Sequence, residues 1–168
     1  MKKIYLLAAV SVLTLSGAEV WAAEASDQGQ IKAKIVAPVT VTEQDALDFG
    51  TILAPTDSVK KVKIAAANGA RSVDGGDNSI LVSTNQGKAG LFNVTGAENQ
   101  RMTIRVSDSS QLTGAGNPMT VDNFVTEPAS ELVLNGTSGQ IKVGADLTVG
   151  QGQDEGDYSG TYQVTVSY

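Results

Sequence analysis

The sequence predicts an all-β fold, a sandwich formed by one domain, and three observations carry that expectation. Short runs of alternating apolar and polar residues recur along the chain. Turn-forming pairs such as Asn68-Gly69 and Asn135-Gly136 separate them, and 18 glycines are spread over 168 residues. Period-two alternation puts every second side chain on one face of a strand. Asparagine, aspartate and glycine tolerate the positive φ that tight turns need, and short strands at this spacing are the pattern of a sandwich.

The chain opens with an address rather than a strand. Lys2 and Lys3 precede the apolar run Ile4 to Leu15, which is too short to span a bilayer, and small residues follow. Residues 1–22 read as a signal peptide; cleavage after Ala22 or after Ala25 satisfies the small-residue rule. Residues 23–30, AEASDQGQ, form a short polar N-terminal segment, and residues 31–168 are expected to be the β-sandwich domain. The first strand is expected over Ile31, Ala33, Ile35, Ala37, Val39 and Val41, an unbroken period of two. Pro38 on its opposite face marks an edge strand or a bend.

"TEQDALDFG" fits one helical turn capped by Thr42 and stopped by Gly50. Strands are then expected at VKKVKIA (59–65), ILVST (80–84), LFNVTG (91–96), MTIRVS (102–107), MTVDNFV (119–125), ELVL (131–134) and IKVGADLTV (141–149). In the last, Ile141, Val143, Ala145, Leu147 and Val149 share a face, and the preceding ELVLNGTSGQ predicts a hairpin with it. The Gly/Asp-rich GQGQDEGD at 150–157 leads into the closing strand. There Tyr162, Val164, Val166 and Tyr168 alternate with Gln163, Thr165 and Ser167. A terminal strand needs a partner on at least one edge, so the identity of that partner is the functional question.

Composition narrows the chemistry. The chain carries 12 Lys and Arg against 18 Asp and Glu, a net charge of −6, and losing Lys2, Lys3 and Glu19 with the signal makes the balance one unit more negative. An acidic domain has no basic footprint for nucleic acid and no polybasic patch for a membrane surface. Histidine and cysteine are both absent. That removes disulfides, the commonest general base, the Ser-His and Cys-His pairs and the usual transition-metal ligands. Asp45 and Asp48, three apart, would face one another on a helical turn as a carboxylate pair, but loop acids of this kind are ordinarily solvated. The acidic loops Asp74–Asn78 and Asp154–Asp157 offer oxygen ligands without the spacing of a calcium motif. The sequons at Asn93 and Asn135 are short enough to arise by chance. The reading is therefore not an enzyme, with no cofactor and no metal.

"LDFG" (47–50), "MTV" (119–121), "IKVGADLTV" and the close "GDYSGTYQVTVSY" (156–168) resemble a family of secreted bacterial proteins known as domain of unknown function number 4402. The resemblance spans nearly the whole chain after the signal. It implies export, from a Gram-negative bacterium to periplasm, cell surface or fimbrium, as one small β domain. More distantly, the DFG after a first strand and the alternating end in tyrosine look like chaperone-usher fimbrial subunits and spore coat protein U domains. That likeness implies an immunoglobulin-like, pilin-like sandwich lacking its last strand. Its partners would be a periplasmic chaperone and then copies of itself or related subunits.

Carried over, Tyr162, Val164, Val166 and Tyr168 become the strand that pairs with the partner, and Ile31, Ala33 and Ile35 the donor strand, with Pro38 as the break. Fimbrial subunits commonly carry a disulfide, and this chain carries none. If Ile31 to Val41 is instead the domain's own first strand, the sandwich is complete in one chain. The expectation is then a self-contained binding module that uses its Gly/Asp-rich loops.

Overall fold

The computed structural model of the chain describes residues 25–168, so the signal peptide read at residues 1–22 lies outside the described residues. Two compact units are distinguished, Met1–Lys34 and Ile35–Tyr168. In the first, the described residues 25–34 carry neither helix nor strand and are exposed throughout. The second unit is all-β. Its strands are β1 (Thr40–Asp45), β2 (Lys60–Ile64), β3 (Arg71–Val73), β4 (Gly90–Thr95), β5 (Arg101–Val106), β6 (Ser109–Gly114), β7 (Met119–Glu127), β8 (Glu131–Val133), β9 (Ser138–Val149), β10 (Tyr158–Ser159) and β11 (Val164–Ser167). Among the described residues, no helix is long and apolar enough to cross a membrane.

All the pairings are antiparallel. The larger sheet runs β1-β4-β9-β7-β6-β10, with β2 also beside β9 and β3 beside β2; the smaller runs β11-β5-β8. The alternating IKVGADLTV makes β9 the spine of the larger sheet, because its inward row Ile141, Val143, Ala145, Leu147 and Val149 is no more than 3% exposed at any position. One edge of β9 pairs with β4 through Val143 and with β2 from Ala145 onward, while the other edge pairs with β7. Gly144 is the handover point. A Cβ there would lie 2.2 Å from the Ile64 carbonyl oxygen, so only glycine lets β2 swing in beside β9.

The core has two parts. One gathers Phe49, Val62, Ile64, Val73, Ile80, Met119, Val121, Ala145, Leu147 and Val149; the other gathers Val94, Met102, Ile104, Leu132, Leu134, Ile141 and Val143. β9 contributes to both, its first half to the second and its last half to the first.

The fold corrects several expectations. The strand expected from Ile31 forms only from Thr40, because pairing with β4 begins at Thr40↔Thr95; residues 31–39 are in no strand. The helical turn at TEQDALDFG is absent, since residues up to Asp45 pair with β4 and Asp48 bridges Lys88. ILVST forms no strand: Ile80 closes a 3-10 turn that begins at Asn78, and Leu81 makes one bridge to Ile52. β8 and β9 are not a paired hairpin. They meet only at the Asn135–Ser138 bridge and then part, β8 going to β5 in the smaller sheet. β3 and the polar β6 are strands that the alternation does not announce.

Candidate functional site

The larger sheet ends in β1 on one side and β10 on the other, each hydrogen-bonded to a single neighbour. A cavity of about 690 Å³ opens beside these two edges, lined on one side by Glu43, the run Ala46–Ile52 and Ala54 and on the other by the run Gln153–Tyr162. Its floor is the hydrophobic core itself. Phe92, Leu112, Met119, Val121, Phe124, Leu147 and Val149 all line it, although Met119, Val121, Leu147 and Val149 are otherwise among the buried residues of the first core cluster. A groove floored by core side chains between strand edges with free backbone groups suits an extended chain better than a flat partner.

The first wall is built from the DFG turn. Asp48 exchanges both backbone hydrogen bonds with Lys88, at 2.9 and 2.8 Å. Its carboxylate accepts the Gly50 N–H at 2.7 Å. Gly50 has φ +70°, and a Cβ there would meet the Asn85 carbonyl oxygen at 2.4 Å, so the position admits glycine alone. Arg71 then clamps the turn. One guanidinium nitrogen donates to the carbonyls of Phe49 (2.8 Å) and Thr51 (3.0 Å), and another donates to that of Val82 (2.6 Å). Burial pulls this guanidinium below its usual value, and the nearby Asp48 charge opposes that shift.

The second wall is the Gly/Asp-rich loop and β10. The Tyr158 hydroxyl accepts from the Gly116 N–H and the Gln153 side-chain amide and donates to the Asp154 carbonyl, each at 2.9 Å. One phenol thus folds the loop onto the connection between β6 and β7. After β10 has paired with Thr113 and Gly114, the chain crosses to the smaller sheet; the Ser110 hydroxyl donates to the Thr161 carbonyl on the way. β11 then pairs with β5 from Val164↔Val106 to Ser167↔Thr103.

Tyr162 stands at the crossing. Its ring stacks on Phe124 (centroids 5.2 Å apart, 26° between planes) and meets Phe92 edge-on (5.9 Å, 83°). Its hydroxyl is buried and has no hydrogen-bond partner. Burial, and secondarily the charge of Glu43, push the phenol well above its usual value, so it is neutral throughout the physiological range.

The rim is acidic. Glu43, Asp48, Asp154, Glu155 and Asp157 line the groove, all five are exposed, and no Lys or Arg lines it. Among the described residues, none of the five is ion-paired; the ion pairs are made by Asp45, Asp57, Asp77, Asp122, Asp146 and Glu131.

The residues expected to act together are spread apart. Tyr162 lines the groove, whereas Val164 and Val166 pack against the second core cluster together with Val39 and Val41. Tyr168 is half exposed, its hydroxyl tied to Ala37 and Ala97. Ile31, Ala33 and Ile35 are exposed, Ile31 and Ile35 to 98% and 96%. Asp45 and Asp48 share no helical turn: Asp45 pairs with Lys88 at 2.5 Å, while Asp48 holds the Gly50 turn. Of the acidic loops, Asp77 caps the 3-10 turn and lies 3.6 Å from Lys60. Among the described residues, no three acidic side chains gather closely enough to hold a metal ion. Of the two walls, the alternative reading of a module binding through its Gly/Asp-rich loops names the 153–157 part of one, and "LDFG" is the local signal of the other, but the sequence does not bring them together.

Both walls fall within residues 39–168, the stretch matched by the family described as domain of unknown function (DUF4402). The chain belongs to this family. No curated protein and no solved structure matches the chain. The DUF4402 match begins at Val39, so it includes both edges of the groove and excludes Ile31, Ala33 and Ile35.

Proposed function

We propose that this DUF4402 protein is an exported, non-enzymatic, immunoglobulin-like sandwich that acts as a surface-assembly subunit by accepting a β-strand from a partner. The observation that carries the reading is the groove of about 690 Å³ whose accessible apolar lining is the half-buried Leu47, Phe92, Leu112 and Phe124, between edges that each have one neighbour. A strand laid there would cover apolar surface at roughly 25 cal/mol per Å² and pair free backbone groups along an edge. Val164 and Val166 already close their own end of the core with Val39 and Val41. The acceptor surface therefore lies at the Tyr162 end of the terminal segment.

The test compares unheated and boiled samples of the exported protein on a denaturing gel, with Ala46→Trp alongside. Ala46 is exposed and lines the groove, so the indole fills the groove without disturbing the core. A ladder that boiling collapses, absent in the variant, supports strand acceptance because shared strands resist detergent kinetically. A single monomer band in every lane rejects it. The Gly/Asp-rich loop forms one wall of this same groove, which favours a second reading in which the intact module binds a small ligand there.

A further inference from the structure

We infer that the groove is a binding site for a free aliphatic diamine or polyamine, whose ammonium ends reach the carboxylates of the two walls while its methylene stem covers the apolar strip between them. The inference rests on the second reading, in which the intact module binds a small ligand, and adds the chemical class of that ligand. A volume of about 690 Å³ suits a small molecule, and such sites are mostly apolar with a few polar groups that fix orientation. Here the apolar part is Leu47, Phe92, Leu112 and Phe124, all half-buried, with the rings of Tyr158 and Tyr162 beside them.

The polar part has one sign and two positions. Glu43 and Asp48 belong to the first wall and Asp154, Glu155 and Asp157 to the second; all five are exposed, and no Lys or Arg lines the groove. Among the described residues, none of the five is ion-paired. Asp48 acts on Arg71 and Lys88, so part of its charge is already met and Glu43 carries the free charge of the first wall. Glu43 also acts on the Tyr162 phenol, whose hydroxyl is buried without a hydrogen-bond partner. An ammonium suits that corner, because it has three donors and no acceptor, offsets the carboxylate and is attracted to aromatic rings. One cation meets one wall; two cations joined by methylenes meet both and lay their stem on the apolar strip. A compact metal dication is served poorly, since among the described residues no three acidic side chains gather closely enough to hold one. An anion is repelled by the rim, and a neutral ligand gains nothing from it.

The experiment titrates the monomer of the full exported chain by calorimetry at low ionic strength, where exposed charges are least screened. The probes are diaminobutane, diaminohexane and diaminooctane, with hexylamine, hexanediol and magnesium ion as controls. Saturable binding of one diamine per chain is expected, with an optimum in chain length set by the spacing of the walls. Hexylamine is expected to bind about 10-fold more weakly than diaminohexane, and hexanediol not measurably, because the charge of one or both walls goes unmet. Glu43→Gln on one wall, and Asp154→Asn, Glu155→Gln and Asp157→Asn together on the other, should each lower diamine affinity to the level of hexylamine. These side chains are exposed and make no ion pair among the described residues, so the substitutions leave the core untouched. Ala46→Trp should abolish binding. Hexylamine binding as tightly as diaminohexane would overturn the inference in favour of a lone ammonium such as a lysine side chain; magnesium binding as tightly would reduce the rim to a diffuse anionic surface. Absence of diamine binding would overturn it too. In that case binding of the neutral dye phenylnaphthylamine, lost in Ala46→Trp, would keep a small-ligand site of another class, and no dye binding would reject the second reading as well.

Discussion

The Tyr168 hydroxyl donates a 2.5 Å hydrogen bond to the carbonyl oxygen of Ala37, 131 residues earlier in the chain. The same hydroxyl accepts the Ala97 N–H at 2.9 Å, so the closing residue fastens the segment leading into β1 to the turn after β4.

Tyr168→Phe keeps the ring and removes the clasp. It is expected to cost about 0.5–1.5 kcal/mol, the usual net worth of such a bond where water can replace it. Amide exchange should speed up at Ala97, and the thermal midpoint should fall by a few degrees. An unchanged exchange rate at Ala97 would show that the clasp does not hold in solution.

Arg71 should be a far more sensitive position. Its guanidinium satisfies the carbonyls of Phe49, Thr51 and Val82 together. Arg71→Met leaves those acceptors without their charged donor and is expected to cost about 2–4 kcal/mol in a denaturant titration. Arg71→Lys should recover only part of this, because an ammonium lacks the planar fork that reaches three carbonyls. A loss under about 0.5 kcal/mol for the Met variant, the level of an ordinary surface change, would refute the clamp.

Gly144 tests the branching of the larger sheet. With a Cβ 2.2 Å from the Ile64 carbonyl oxygen, Gly144→Ala must push β2 away from β9 and is expected to cost more than about 3 kcal/mol. Gly75, at φ +83° with no atom within 4 Å of an added methyl group, isolates the backbone contribution; Gly75→Ala should cost about 1–2 kcal/mol. Similar losses at both sites, read by urea unfolding, would mean that β2 does not press on β9 at Gly144.

The sequence reveals β9 and its inward row because a spine strand in a two-part core needs an apolar residue at every second position. It misleads at Ile31–Val39 for a related reason. Alternation records which face a strand is able to bury, not whether an edge is there to pair with it, and β4 reaches only as far as Thr40. β6, SSQLTG, escapes notice because it buries little: only Ser110 and Leu112 are half-buried, and its outer neighbour is the two-residue β10. The groove escapes for a topological reason. Its walls, 43–54 and 153–162, are brought beside the same floor only by the order of strands between β1 and β10. Tyr162 is legible as a residue to watch, whereas its Phe92 and Phe124 neighbours are not.

The loop around Lys60 should loosen at acidic pH. Asp57 is held below the usual carboxylate value chiefly by its bond from Lys60, and Asp77 chiefly by its bonds from Ser79. A depressed carboxylate contributes stability above its unfolded value and loses it as pH falls through the folded one, so the effect is confined to pH below about 4. Both groups are exposed, so the loss should be small and reduced by salt. Amide exchange at Ser58 and Ser79, faster at pH 3 than expected from intrinsic rates, would show it. An acid response of equal size in Asp57→Asn with Asp77→Asn would assign it elsewhere.

Tyr162→Phe should stabilise the isolated protein. The substitution leaves the stack on Phe124 and the edge contact with Phe92 and removes a buried hydroxyl that has no partner. An unpaired buried polar group carries its desolvation cost with no compensating bond, so the thermal midpoint at neutral pH should stay level or rise. The alkaline limb adds an independent readout. A phenol whose folded value is raised contributes stability below its unfolded value near pH 10 and loses it as pH climbs above that toward the folded one. Wild type should therefore weaken above about pH 10, and the variant should lack that component. In multimers the sign should reverse if an incoming strand's backbone satisfies the hydroxyl, because Tyr162→Phe would then delete a made bond. A marked fall in the isolated variant's midpoint would mean that the hydroxyl is already bonded within the single chain, and an incoming strand would find no unpaired phenol there.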